Sequence, residues 1–425
     1  MADTIYALSS GAPPAAIAVV RVSGTAAGAA LHALAGRIPP ERRAVTATLR
    51  DSAGGLLDRA LVLWLPGPNT ATGEDTAELH LHGGRAVVAA VATALAAVPG
   101  LREAEPGEFT RRAFANGRID LAEAEGLADL LCAETELQRQ SALAMAGGAF
   151  SRQVEQWRER LLGLSAAVEA VLDFADEDDV ATLPADFLQR IDRLRAELVT
   201  WLNRPRAEAL REGFRVVIAG PPNAGKSTLF NTLVQSDAAI ATPIAGTTRD
   251  VLTRPVGYSG IPFLFADTAG LHDATDDVVE AIGIERALEA LDRADLVLWL
   301  GPEGQGPVGA WEIAAQSDRA GIPAKRQARH HISAVSGEGI DRLIDDLVTT
   351  ARQAMPKPGE AALNQRQHDL LHEAARALQG AEDETDPLLI AESLRLTRVA
   401  FDALLGRTTT EDMLDALFGR FCIGK

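Results

Sequence analysis

The sequence predicts a multidomain protein: an N-terminal α/β (α+β) domain over residues 1–117, an α-helical domain in two pieces, 118–212 and 353–425, and a Ras-like P-loop α/β domain over 213–352 inserted between them. Three observations lead there. Short β-rich runs separated by Gly/Pro turns fill the first part, and apolar residues recur at three and four along the second. A strand, glycine and helix pattern breaks into that helical texture near residue 213.

Composition agrees with several domains, since 425 residues with 47% hydrophobic content supply two or three cores. Two cysteines, Cys132 and Cys422, cannot build a disulfide framework. The start lacks the basic region and apolar run of a signal peptide. The longest apolar runs, such as "VVAAVATALAAV" (87–98), are too short to span a bilayer, so no membrane association is expected and a cytoplasmic location is. A net charge of −18 argues against a broad basic face; an RNA partner would require help from another protein.

Along the N-terminal part, "AIAVVRVSG", "LVLWLPG" and "TAELHLHGG" read as strands and residues 85–97 as an Ala-rich helix. In "ELHLHGG" a period of two puts Glu78, His80 and His82 on one face and Leu79 and Leu81 on the other. No Cys/His cluster completes a tetrahedral metal site around the two histidines. From 118, "DLAEAEGLADLLCAETELQRQSALAM" and "WRERLLGLSAAVEAVLDFADEDD" carry helical periodicity, which resumes at 363–417. The acids of "DFADEDD" (173–179) lack the spacing and central glycine of a calcium loop and read as a solvated helix end or hinge.

The strongest motif is "FRVVIAGPPNAGKSTLFNTLV" (214–234): an apolar strand, then G-x-x-x-x-G-K-S, then an amphipathic helix. Gly220 and Gly225 let backbone N–H groups turn toward phosphate oxygens, Lys226 supplies a point charge, and the Ser227 hydroxyl suits Mg²⁺. Asn223, Ala224 and Thr228 complete this nucleotide loop. Downstream, "FADTAGL" ends an apolar run in Asp267, Thr268, Ala269 and Gly270, where Asp267 would hold Mg²⁺ through water and Gly270 would meet a γ-phosphate. Between them lies "TPIAGTT" (Thr242, Pro243, Ile244, Ala245, Gly246, Thr247, Thr248), and Thr248 is the second Mg²⁺ hydroxyl. In this order the motifs read as a GTPase. Leu271 follows DTAG where Ras-like proteins carry the water-orienting glutamine, so water must be positioned by another group.

Over nearly its whole length the chain resembles the MnmE (TrmE) family of tRNA uridine-modification GTPases: "DTIYALSSG", "TGEDTAELHLHGG", "PGEFTRRAFANGRIDLAEAEGLADL", "EAIGIERA" and the terminal "CIGK" carry the match. The resemblance implies a homodimeric, K⁺-dependent GTPase whose N-terminal domain dimerises and binds a 5-formyl-tetrahydrofolate-type donor. It implies an FAD-dependent partner, MnmG, with which the protein builds an aminomethyl or carboxymethylaminomethyl group on the wobble uridine of tRNA. It makes Glu78 the pterin acceptor, adds Arg21 and Arg118 as folate contacts, and places the water-orienting acid at Glu280.

The N-K-x-D motif that reads guanine in this family is missing; its best counterpart is Ala315, Gln316, Ser317 and Asp318, followed by a base loop at Ser333, Ala334 and Val335. Asp318 keeps the specificity contact. Loss of the Asn and the Lys stem costs about 1 to 3 kcal/mol of nucleotide binding. The chain shows no obvious arginine finger; the Asn223 side chain with backbone carbonyls from Thr242 to Thr247, among them Ile244, forms an oxygen set for K⁺.

The ending "FGRFCIGK" is not a prenylation box, because Lys is not a usual final residue and nothing polybasic precedes it. Phe418, Phe421 and Ile423 give the tail apolar residues to dock. It reads as a docked tail that brings Cys422 to the modification site, with Lys425 reaching the folate. The rival readings are a ribosome-assembly GTPase and a nucleotide-gated scaffold without chemistry of its own.

Overall fold

The computed structural model describes residues 3–173, 182–236, 240–241, 253–267, 290–319, 325–408, 410–419 and 421–424. The chain forms two compact units, Met1–Ala128 with Asp402–Lys425, and Asp129–Phe401.

The first unit is built on a six-stranded sheet in the order β3-β4-β5-β2-β1-β6. Its strands are β1 (Thr4–Leu8), β2 (Ile17–Ser23), β3 (Val45–Arg50), β4 (Leu56–Leu65), β5 (Thr76–His82) and β6 (Leu101–Glu103). Neighbours are antiparallel except β1 and β6. Strand alternation decides which face is which. Val20, Val22, Val62, Leu79 and Leu81 are buried with Leu31 and Leu34 of the helix Ala27–Ala35 and Val91 and Leu95 of the helix Arg85–Ala96. The opposite face carries Ile17 and Leu61, which are 59% and 36% exposed, together with Arg21, Glu78 and His80.

Compactness divides the C-terminal end differently from the sequence partition, for residues 402–425 belong to this first unit. Phe418 and Phe421, in and after the helix Glu411–Phe418, are buried with Leu121, Ala124 and Leu414, and Phe114 packs on them. Arg111 adds ion pairs to Glu411 and Asp415 of that helix. An aromatic tail has more apolar area to hide than a frayed end, and this groove hides it.

In the second unit, the helix Ala149–Asp173 buries Phe150, Val154, Trp157, Leu161, Leu164 and Val168, steps of four and three that make one stripe. Trp157 stacks on Phe401 with ring centroids 6.0 Å apart and meets Trp201 edge-on at 5.8 Å. The chain leaves these helices after Ala207–Glu212 and returns to them with Gln365–Asp383.

Between lies a seven-stranded sheet, β13-β12-β11-β7-β10-β9-β8. Its strands are β7 (Phe214–Ala219), β8 (Ile240–Ala241), β9 (Thr253–Tyr258), β10 (Ile261–Asp267), β11 (Leu296–Trp299), β12 (Trp311–Ala314) and β13 (His330–His331). β7 is central, with β10 and β11 parallel to it on either side, and its near-continuous apolar run is buried on both faces. The helices Lys226–Val234 and Ile340–Ala354 supply Leu229, Leu233, Leu343 and Leu347 to its core.

One connection departs from expectation. Parallel neighbours β11 and β12 are normally joined through a helix, yet residues 300–310 contain none. Instead the Trp299 indole N–H donates to the Pro302 carbonyl at 2.9 Å. The loop lies so close on that ring that a Cβ at Gly301 or Gly306 would come within 2.3 or 2.7 Å of it. Lys325, nearly buried, ties the loop base by donating to Trp299 O at 2.9 Å and Glu312 at 2.6 Å.

Candidate functional site: a nucleotide loop and a docked tail

The nucleotide site grows from the end of β7. Gly220 (φ +153) starts the loop where a Cβ would press on the backbone of Leu300 and Gly301 at 3.1 to 3.2 Å. Asn223 and Gly225 are left-handed (φ +62 and +93), and Gly225 caps the helix Lys226–Val234 at its N-terminus. That helix end presents unsatisfied N–H groups and a positive dipole end. Lys226 is 5% exposed and its Nζ donates to the Pro221 carbonyl at 2.9 Å. Burial pushes its ammonium below the usual lysine range, and the carboxylate of Asp267 pulls the other way. Asp267 ends β10, paired with Ile218 of β7 and 7% exposed, so the loop and the acid sit on adjacent strand ends. Exposed Ser227 and buried Asp267 offer hydroxyl and carboxylate oxygens, the donor chemistry Mg²⁺ takes.

Beside the loop lies a pocket lined by Gly225, Thr228 and Leu229 on one side and Ala315, Gln316, Asp318, Ile332, Ala334 and Val335 on the other. Thus Asp318 and the base loop, far apart in sequence from the P-loop, meet it in space. A hydrogen bond from the fully buried Ser333 holds the Asp318 carboxyl below the usual range, so it stands ready as an acceptor. Thr232 Oγ1 donates to Ala334 O at 3.1 Å, tying helix to base loop. The Gln316 amide spans the gap and donates from Nε2 to the Asn223 carbonyl at 3.2 Å. Sequence reasoning counted the missing lysine there only as a loss; the signal for this contact is a three-dimensional approach that no local pattern encodes. Thr242 to Thr248, Thr268 to Gly270 and Glu280 lie outside the described residues, as do Lys425 and the acids of 174–179.

In the first unit, Arg21 and Glu78 face each other directly across β2 and β5. Arg21 Nε and Nη2 donate to one Glu78 oxygen at 3.1 and 3.0 Å, and His80 Nε2 lies 3.2 Å from the other. His82 is engaged by Asp58 at 2.7 Å. The Arg21 guanidinium lies 5.8 Å from the Phe109 ring centroid. Arg118 is exposed with its stem over Gly73, where a Cβ would come within 3.2 Å of its Cγ, and it makes no hydrogen bond to Arg21 or Glu78. The adjacent loop is fixed by Glu74, which accepts from Ser23 at 2.8 Å and from Arg112 at 3.2 Å.

The tail containing Cys422 is docked on the same unit. Ile423 bridges Pro106 in antiparallel fashion, directly before the helix Glu108–Ala115 that carries Phe109. A Cβ on Gly424 (φ +94) would lie 2.0 Å from Leu8 O, and one on Gly107 (φ +69) 2.2 Å from Phe418 O. Cys422 itself is exposed and free. No helix among the described residues is long and apolar enough to cross a membrane.

A largely parallel sheet with a phosphate loop leading from its central strand into a helix, an acid on the next strand end and a pocket beside them define a P-loop GTPase. Residues 4–118 match the family model for the GTP-binding protein TrmE N-terminus, and residues 121–422 match that for the MnmE helical domain. The tRNA modification GTPase MnmE of Novosphingobium aromaticivorans is 63% identical over 437 aligned positions, with all of both chains covered. That of Erythrobacter litoralis is 64% identical over 423, again covering all of both, and that of Rhizorhabdus wittichii 58% over 428, covering all of this chain and 97% of its own. The chain belongs to the MnmE family of tRNA modification GTPases.

Proposed function

We propose that this protein is a K⁺-dependent GTPase that works in the cytoplasm as a homodimer with the FAD-dependent partner MnmG. Together they install aminomethyl or carboxymethylaminomethyl groups at C5 of the wobble uridine of tRNA, using a one-carbon unit from a 5-formyl-tetrahydrofolate-type donor. The observation that carries this reading is the docking of the Cys422 tail at Pro106 and Leu8, on the unit that bears the Arg21–Glu78 pair. The boundaries read from the sequence, 1–117, 118–212, 213–352 and 353–425, serve as its functional partition.

Glu78 has carboxylate lone pairs beyond those used by Arg21 and His80, enough to accept from a pterin's 2-amino and ring N–H groups. Arg21, Arg118 and Lys425 then contact the folate, which when bound supplies the one-carbon unit. Cys422 works from the docked tail. The open sheet face with Ile17 and Leu61 supports dimerisation through the N-terminal domain.

In the GTPase half, residues 223–228 hold phosphates. Ser227 and Thr248 ligate Mg²⁺, with Asp267 behind them, and Thr268, Ala269 and Gly270 approach the γ-phosphate. Asn223 with carbonyls of Thr242, Ile244 and Thr247 holds K⁺ in the loop that also contains Pro243, Ala245 and Gly246. Glu280 orients water, while Asp318, Ser333, Ala334 and Val335 read the base. Mass spectrometry of wobble nucleosides from a deletion strain, rescued by wild type or Cys422→Ser, is the test. Loss of the modified nucleoside with GTP turnover kept, and faster in KCl than in NaCl, is expected; full rescue by Cys422→Ser removes the thiol from the mechanism.

A further inference from the structure

Among the described residues only four that are not glycine have a left-handed backbone: Arg42, Asn223, Ser259 and Gln316. Two of these are hydrogen-bonded to each other, Gln316 Nε2 to Asn223 O at 3.2 Å. A left-handed L-residue carries a cost that surrounding contacts must offset, and such residues cluster where a ligand is clamped. Gln316 also lines the pocket that contains Gly225, Thr228, Asp318 and Ala334, so this bond ties a pocket wall to the P-loop. Gln316 is turned toward the P-loop by its φ of +59, with Arg319 N bonded to its carbonyl at 3.0 Å and Ser317 N held by Ile332 O at 3.1 Å. Its amide lies over Gly225, where a Cβ would come within 3.2 Å of Nε2 and 3.5 Å of Cγ. Any side chain at residue 225 would fill the space the Gln316 amide uses.

We infer that Gln316 is a positioning residue of the nucleotide site: its amide latches the 315–318 segment, which carries Asp318, to the P-loop, and its aliphatic stem forms a wall of the guanine pocket. The latch is neutral, and it sits where the family's usual motif has a lysine. Its placement of Asp318 rests on the reading of Asp318 as the base acceptor, and the test separates the two.

The experiment measures binding of GDP and XDP to the full-length protein and to Gln316→Ala, Gln316→Glu, Gln316→Lys and Asp318→Asn, by displacement of a fluorescent GDP analogue. Losing one hydrogen bond predicts about three- to ten-fold weaker GDP binding in Gln316→Ala and Gln316→Glu. Gln316→Lys, which keeps a donor, should bind at least as tightly as wild type. All three Gln316 variants should keep the preference for GDP over XDP and the melting midpoint of the nucleotide-free protein. Unchanged affinity in Gln316→Ala and Gln316→Glu, no rescue by Gln316→Lys, or a melting midpoint that falls along with affinity would each overturn the latch. Asp318→Asn should reverse the base preference. Retained GDP preference there, with the Gln316 effects intact, sinks the reading of Asp318 and leaves the latch standing.

Discussion

Gly424 and Gly107, which seat the tail, and Gly220 and Gly225, which shape the nucleotide loop, all have positive φ, yet they are glycines for different reasons. At the tail, the missing Cβ is replaced by protein backbone: the carbonyl oxygens of Leu8 and Phe418 would lie 2.0 and 2.2 Å from it. At Gly225 the nearest neighbour is the end of a flexible side chain, the Gln316 amide, at 3.2 Å. The tail glycines therefore serve packing of the chain on itself, while Gly225 serves an open site that a ligand's phosphates can approach. Gly220 stands between, pressed on backbone at 3.1 Å but leading into the loop.

The sharpest way to break the contrast is Gly424→Ala, which cannot be accommodated without moving Leu8 or the tail. It should reduce the modified wobble nucleoside in a deletion strain about a hundredfold or more, a loss on the scale of removing one catalytic group. Phosphate release from GTP should stay within about twofold of wild type, because the added methyl meets Leu8 and Ser9 and no residue of the nucleotide loop. Wild-type modification in this variant would mean the tail is not seated for chemistry. Gly107→Ala should come next, destabilising the first unit by about 2 to 4 kcal/mol from left-handed strain plus overpacking. Urea unfolding measures it, and a loss under half a kcal/mol would contradict the close approach to Phe418.

Gly225→Ala should cost less stability, about 1 to 2 kcal/mol of backbone strain, because the Gln316 amide can move aside. Its larger effect should be on binding, with GDP affinity falling about tenfold. A stability loss equal to that of Gly107→Ala would erase the distinction between the two regions.

The smallest effect concerns pH. Burial alone would raise the Glu108 carboxyl, but hydrogen bonds from Arg102, the Glu105 N–H and Arg112 outweigh it and hold it below the ordinary 4.5. A depressed folded value means that stability is present above 4.5 and is lost as pH falls below it toward the folded value. Urea midpoints for the wild type should decline below that point, and Glu108→Gln should flatten the decline. Lys226 in the nucleotide loop is also shifted downward, by burial, but from an ordinary value of 10.5, so its contribution changes well above that window.

Much of the site was legible where chemistry is local. The P-loop spacing, the outward face of Glu78 and His80 and the end of β10 at Asp267 each follow from a short period or motif, because neighbouring residues on one strand or loop cannot avoid those positions. The docking of Phe418 and Phe421 could be anticipated from their apolar area alone. By itself, then, the sequence determined the element types, the nucleotide loop and the family.

Only the tertiary structure decided three other things: that residues 402–425 join the first unit, that β11 and β12 connect without a helix, and that Gln316 reaches Asn223. Each depends on which backbone segment approaches which others. Trp299 fills the place of a helix because two glycines let the loop lie on its ring. Gln316 reaches the P-loop because β12 ends opposite it in a left-handed turn. Such approaches are set by the sum of many packing contacts across the fold, each too small to leave a mark in the local pattern.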